Sequence, residues 1–214
     1  MKKGLTELVF IIDRSGSMSG MEADTIGGFN SMLQRQKEME GEALVTTVLF
    51  SNDSSTLHDR LPIAGVEPLT REDYRAYGCT ALYDAIGESI ERISTIHRYA
   101  REEDIPEHTL FVITTDGMEN ASQRYDSGRI KELIKQQEAK GWEFLFVAAN
   151  IDVASAAEHI GIRRDRAASY RQTSEGTRGV YEAVDYVMCS MRMDCDIPED
   201  WAKAVETPLE DADR

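Results

Sequence analysis

Cysteine, positive charge and long apolar runs are what this sequence has least of. Its three cysteines, Cys79, Cys189 and Cys195, are odd in number and include no CxxC pair. Neither a disulfide framework nor a structural zinc site is therefore indicated, and buried, inert thiols are expected. No apolar stretch reaches the length needed to cross a bilayer. The opening Met1-Lys2-Lys3 resembles the start of a leader, but Glu7 and Asp13 bracket an apolar run too short for a signal-peptide core and no small-residue cleavage site follows. A cytoplasmic protein is the expectation. Lysine and arginine number 24 against 39 aspartates and glutamates, a formal charge of −15. Such a charge repels phosphate backbones and anionic membranes, so neither nucleic acid nor membrane is expected as a partner. The nearest approach to a basic patch, Arg163, Arg164 and Arg166, reads as a solvated strand edge.

What the sequence does hold is alternation. With 41% hydrophobic and 29% charged residues over 214 positions, the chain has the make-up of one globular domain with a sizeable core. Strand patterns follow helix patterns from end to end, which predicts an α/β fold: a doubly wound, mostly parallel six-stranded sheet with helices on both faces. The expected strands are Thr6 to Asp13, Ala43 to Ser51, Thr56 to Leu61, Thr109 to Thr115, Glu143 to Ala149 and Ala167 to Tyr170. Between the second and third lies only Asn52-Asp53-Ser54-Ser55, too short for a crossover helix, so the third strand is predicted to be an antiparallel edge, with His58 solvated along it. Helices are expected at 22–40, 81–98, 127–140, 153–160 and 175–193, the last with the clearest apolar stripe. Gly27 and Gly28 inside the first helix suggest close packing on a neighbour. The domain is expected to span 1–193, with 194–214 a loosely packed acidic tail.

In a parallel sheet, binding residues collect at the carboxyl ends of the strands. Three polar segments fall there: Asp13, Ser15 and Ser17 after the first strand, Thr80 before a helix, and Asp116 after the fourth strand. All five are oxygen donors, with no histidine or cysteine among them, which favours Mg²⁺, with Mn²⁺ or Ca²⁺ as alternatives, over zinc or copper. Each segment also has a plain structural meaning, since Ser and Gly make turns, Thr80 could cap a helix, and Asp116-Gly117 could be a turn. Their joint placement at three strand ends favours the metal. Two carboxylates and three neutral hydroxyls leave a divalent ion open to a further ligand.

At these residues the sequence resembles the von Willebrand factor A (vWA) domain family, whose metal-ion-dependent adhesion site (MIDAS) reads DxSxS, a distant Thr, and an Asp commonly followed by Gly. DRSGS supplies Asp13, Ser15 and Ser17, CTALYDAI supplies Thr80, and TTDGMEN supplies Asp116. The resemblance covers residues 5 to 193 and implies a Mg²⁺ held by the hydroxyls, with the aspartates binding directly or through water. It also implies a Glu or Asp from a partner protein at the open position. The lack of a leader makes the chain similar to the intracellular bacterial branch, whose members often serve ATPase or stress-response assemblies.

The function expected is thus a metal-dependent protein-binding module, not an enzyme, with a rim of Arg14, Met18, Met21, Tyr77, Met118, Glu119 and Asn120. A metal-dependent phosphatase or hydrolase of the haloacid dehalogenase type is the alternative. It is disfavoured because that chemistry needs a second Asp where Ser15 stands. A metal-stabilised structural or oligomeric protein is a further alternative.

Overall fold

The computed structural model describes residues 1–206. Six strands form one sheet in the order β3-β2-β1-β4-β5-β6, where β1 is Lys2–Asp13, β2 Glu42–Phe50, β3 Ser54–Pro62, β4 Pro106–Thr115, β5 Trp142–Ala148 and β6 Ala167–Ser169. Every pairing is parallel except β2 with β3, the edge hairpin. The helices are α1 (Glu22–Glu38), α2 (Leu82–Tyr99), α3 (Ser127–Glu138), α4 (Val153–Ile160), α5 (Ser174–Arg192) and the short α6 (Lys203–Glu206).

Burial explains the strand sequences. β1 is covered on both faces, so Leu5 through Asp13 are all buried and the run is nearly continuous in apolar residues. Alternate side chains of β1 feed two cores. Leu8, Phe10 and Ile12 meet α1 and α5 through Phe29, Met32, Val184 and Val187. Val9 and Ile11 meet α2 and α3 through Ile86, Ile90, Ile130 and Ile134. Gly28 is where α1 closes on α5, since a Cβ there would lie 2.3 Å from a ring carbon of Tyr181, whereas Gly27 faces open space.

Three expectations need correction. His58 is buried rather than solvated, because the β2–β3 register shifts around Thr47 and turns its ring inward, Nδ1 3.0 Å from Thr47 Oγ1. Burial holds its pKa below the usual histidine value. The thiols are not uniformly buried: Cys79 and Cys195 are exposed and Cys189 is half-buried, all three free. Residues 194–206 pack on the domain through three apolar side chains. Ile197, Trp201 and Val205 are buried, Trp201 Nε1 donates to the Asp165 carbonyl at 2.8 Å, and α6 lies so close to α5 that a Cβ on Gly179 would sit 2.6 Å from the Ala204 carbonyl oxygen. The rest of the expected tail, 207–214, lies outside the described residues.

One buried charge had no expression in the sequence pattern. Glu7, fully buried in β1, sits between Arg60 Nε and His97 Nε2, each 2.5 Å from a carboxylate oxygen. The edge strand and α2 are thereby tied to the central strand.

Candidate metal centre

Parallel strands deliver their carboxyl ends to one edge, and the β1–β4 register sets Ile12 opposite Thr114. The next residues, Asp13 and Thr115, therefore leave the sheet side by side, and Thr115 Oγ1 donates to Asp13 Oδ2 at 2.6 Å. The other oxygen of Asp13 accepts the Ser15 amide at 2.6 Å, which curls the chain into a single 3₁₀ turn over Gly16–Met18. That turn aligns the two serines, Oγ to Oγ at 3.0 Å, and Ser17 Oγ donates to Asp116 Oδ1 at 2.6 Å. Four of the five anticipated oxygen donors are thus linked within hydrogen-bond distance.

Thr80 arrives from a third segment. The loop before α2 is strapped to the first turn by Gly16 N to Gly78 O at 3.0 Å, Tyr77 N to Arg14 O at 2.9 Å, and the Tyr74 hydroxyl to Asp13 O at 2.5 Å. Gly78 has φ +77°, and its missing Cβ leaves room for Asn52 Oδ1, which accepts the Cys79 amide at 2.5 Å. Thr80 is not the cap of α2. The amides of Tyr83 and Asp84 are taken by Glu119 Oε2 and Ser122 Oγ, at 2.8 and 3.0 Å. The Thr80 hydroxyl makes no hydrogen bond among the described residues, although the residue is buried. Ser17 Oγ and Thr80 Oγ1 both lie 3.6 Å from the point a Cβ on Gly117 would occupy, so they flank one small space that this glycine leaves open.

The anticipated rim is partly rewritten. Met18 is buried in the core beneath the turn. Glu119 and Asn120 are inner fasteners: Glu119 accepts from Tyr83, Ala121 and Ser122, and Asn120 Oδ1 accepts the Thr80 amide at 2.9 Å. Met118, 72% exposed, and Tyr77, 43% exposed, stand at the surface.

Sequence reasoning missed Gln172, in the loop between β6 and α5. Its Nε2 donates to Asp116 Oδ2 at 2.6 Å and to the Ser17 carbonyl at 2.8 Å, while its Oε1 accepts from Asn150 Nδ2 at 2.9 Å. Asn150, with φ 60°, also reaches the Asp116 carbonyl at 3.4 Å. Gln172 thus fixes which way the Asp116 carboxylate faces. No local spacing marks it; its role exists only because the sheet brings residue 172 to residue 116. Replacing Gln172 by Ala is expected to weaken divalent-metal affinity by about 10–100-fold, the usual worth of an outer-shell partner. The thermal midpoint of the metal-free protein should stay nearly unchanged. Calorimetric titration beside a melting curve separates the two, and equal metal affinity in the variant would remove Gln172 from the site.

The donor set fits a hard cation. Octahedral Mg²⁺ with bonds of about 2.0–2.1 Å places neighbouring ligand oxygens about 2.9 Å apart, and the equatorial oxygens of a seven-coordinate Ca²⁺ at about 2.3–2.6 Å lie about as close. The serine hydroxyls, 3.0 Å apart, can exchange their mutual bond for a shared divalent ion without moving apart. Burial raises the pKa of Asp13, and the neighbouring charge of Asp116 adds to this; burial likewise raises that of Asp116. A bound cation would favour the ionised form of both and so oppose that effect. Among the described residues no cluster of three or more His, Cys, Asp or Glu side chains gathers that could hold a metal ion. An ion here would rest on hydroxyls as much as on charge.

No protein-family model and no curated protein matches the chain in sequence. Solved structures do match in fold. Proximal thread matrix protein 1 from the mussel byssus, in a form described as having a zinc-occupied MIDAS motif, superposes with a TM-score of 0.57 at 14% identity, over 87% of this chain and 46% of that one. A von Willebrand factor type A protein from Catenulispora acidiphila gives 0.57 at 11% identity, over 86% and 42%. The manganese-loaded TRAP protein of Plasmodium vivax gives 0.54 at 15% identity, over 80% and 70%. The chain spans about half the length of the first two. Its fold is that of vWA domains, a Rossmann-like sheet with one antiparallel edge.

Proposed function

We propose that this chain is a metal-dependent protein-binding module, not an enzyme, which holds Mg²⁺ through Asp13, Ser15, Ser17, Thr80 and Asp116. An acidic side chain of a partner protein completes the coordination. The observation that carries this reading is the gathering of those side chains from three separate segments at one edge, with the Thr80 hydroxyl left unused by α2. One structure with the same fold has a zinc-occupied MIDAS motif and another is loaded with manganese, which supports a divalent ion at this edge. When bound, the ion supplies a Lewis-acidic position for an external carboxylate. The chain's own part is to orient Asp116 through Gln172, to aim the serine hydroxyls through the Gly16–Met18 turn, and to hold Asp13 through Thr115.

We place the protein in the cytoplasm, where its three free thiols, two of them exposed, would stay reduced. No helix among the described residues is long and apolar enough to cross a membrane. Turnover of the haloacid dehalogenase type lacks its second carboxylate, since Ser15 occupies that position and bonds Ser17. Pull-down from the native cell with Mg²⁺ and with EDTA tests the reading: partners should be retained only with the metal, and be lost with Asp116→Ala. Recovery of the same proteins under both conditions would favour a structural role for the ion, and phosphatase turnover lost in Asp13→Asn would overturn the binding-module reading.

A further inference from the structure

We propose that Asn120 is a positioning residue of the metal centre, which fixes the backbone on both sides of Thr80 and so sets that hydroxyl against Asp116. The inference rests on the reading of Thr80 and Asp116 as metal ligands and adds what keeps the two in place. Asn120 stands four residues beyond Asp116 in TTDGMEN, where the sequence suggests a surface contact to a partner. Its bonding instead runs inward. Asn120 Oδ1 accepts the Thr80 amide at 2.9 Å, and the Asn120 amide donates to the Thr80 carbonyl at 3.0 Å. One residue thus grips the two peptide groups that flank the Thr80 side chain.

Thr80 depends on such a grip because its own segment supplies no regular backbone: residues 66–81 form neither strand nor helix. Thr80 is also only 3% exposed, so an amide left unmet there would stay unmet. Asn120 can hold it because the loop around Asn120 is itself held to the start of α2. Glu119 Oε2 accepts from the Tyr83 amide at 2.8 Å and from the Ser122 hydroxyl at 2.7 Å, while its Oε1 accepts the amides of Ala121 and Ser122 at 2.8 and 2.7 Å. Ser122 Oγ in turn accepts the Asp84 amide at 3.0 Å. Asp84 answers in the opposite direction, its carboxylate accepting the amides of Gln123, Arg124 and Tyr125 at 2.9, 2.9 and 3.0 Å. The loop that follows Asp116 and the first turn of α2 are therefore laced both ways, and Asn120 carries that lacing to Thr80. Asn120 Nδ2 makes no hydrogen bond among the described residues, so the acceptor oxygen alone carries the side chain's part.

Calorimetric titration of the full chain with Mg²⁺ tests this in four variants. Asn120→Ala is expected to weaken Mg²⁺ affinity by about ten-fold, the low end for an outer-shell partner, because the bond reaches the ligand's amide and not its oxygen. Asn120→Asp keeps the acceptor and adds a charge that favours the cation, so its affinity should equal or exceed that of the wild type. Ser122→Ala removes two bonds from the same loop without touching Thr80, and its affinity should stay at the wild-type value even where its metal-free melting midpoint falls as far as that of Asn120→Ala. Thr80→Ala, which takes away the hydroxyl itself, should bind more weakly than the wild type. Wild-type affinity in Asn120→Ala, an Asn120→Asp as weak as Asn120→Ala, or an equal loss in Ser122→Ala overturns the proposal and leaves the metal reading standing. A wild-type chain that takes up no Mg²⁺, or a Thr80→Ala variant with wild-type affinity, overturns the metal reading at Thr80 and this proposal with it.

Discussion

Asp13→Asn is expected to remove Mg²⁺ binding and at the same time to raise the thermal midpoint of the metal-free protein. The loss of affinity should exceed the about 10–100-fold that outer-shell partners are worth, because the group removed supplies charge to the ion itself. The gain in stability follows from burial. Asp13 is fully buried and Asp116 only 2% exposed, and the pKa of each is raised, chiefly by that burial. A carboxyl whose folded pKa lies above its unfolded value contributes stability that is fully present below the unfolded pKa and is lost as pH rises through the folded one. Above those raised pKa values the metal-free fold therefore carries two unfavourable charges. Asparagine removes one without losing a hydrogen bond: its oxygen can accept the Ser15 amide, and Thr115 Oγ1 can turn its proton to the Gly117 carbonyl 3.2 Å away while accepting from the new amide.

Differential scanning in EDTA and in Mg²⁺ reads both effects. In the wild type, metal at a hundred times its dissociation constant should add about 2.7 kcal/mol, and each kcal/mol moves the midpoint by about 2–4 °C at this chain length. The variant should start higher in EDTA and show no response to Mg²⁺. Acidification should weaken metal binding in the wild type from a pH above the ordinary aspartate value of 3.8, since the ligands must be ionised to bind. A variant that keeps the Mg²⁺ response would place the ion elsewhere.

Trp201→Ala is expected to cost about 3–5 kcal/mol, the usual penalty for removing a buried large aromatic, and to lower the melting midpoint by about 6–20 °C. Trp201 is 2% exposed and its indole N–H is satisfied by Asp165, so the substitution leaves both a cavity and an unpaired carbonyl. Mg²⁺ affinity should persist, because Trp201 packs beside the start of β6 and not at the metal edge. Chemical denaturation of the variant gives the number. A cost below 1 kcal/mol would mean that residues 194–206 do not belong to the core.

The difference between these two variants reflects what was legible in the sequence. That Asp13, Ser15, Ser17 and Asp116 share one edge was legible because they follow the parallel strands β1 and β4, whereas Thr80, which precedes α2, is brought there by the straps from Gly16, Arg14 and Asp13 to its loop. The sheet was legible for the same reason: LVFII and TLFVITT are apolar on both faces, as central strands covered by helices must be. Trp201 was misread because a polar stretch with one aromatic carries no period, and only the groove between α5 and β6 gives it a place. His58 was misread because a register shift, which alternation does not announce, turns it inward. Gln172, Asn150 and Glu119 depend on contacts 56, 34 and 36 residues away along the chain, so no local motif could assign them. Met18 lies within the recognised turn, yet the sense of a 3₁₀ turn, not its composition, decided that it faces the core.

The central claim is that one divalent ion binds between the ends of β1 and β4 and the loop before α2. Paramagnetic line broadening by Mn²⁺ in the ¹⁵N-labelled protein tests it most directly. At substoichiometric Mn²⁺ the amides of Ser15, Ser17, Thr80 and Gly117 should broaden first and together, excess Mg²⁺ should restore them, and Asp13→Asn should abolish the effect. Broadening centred on another part of the surface, or unchanged by Asp13→Asn, would contradict the account.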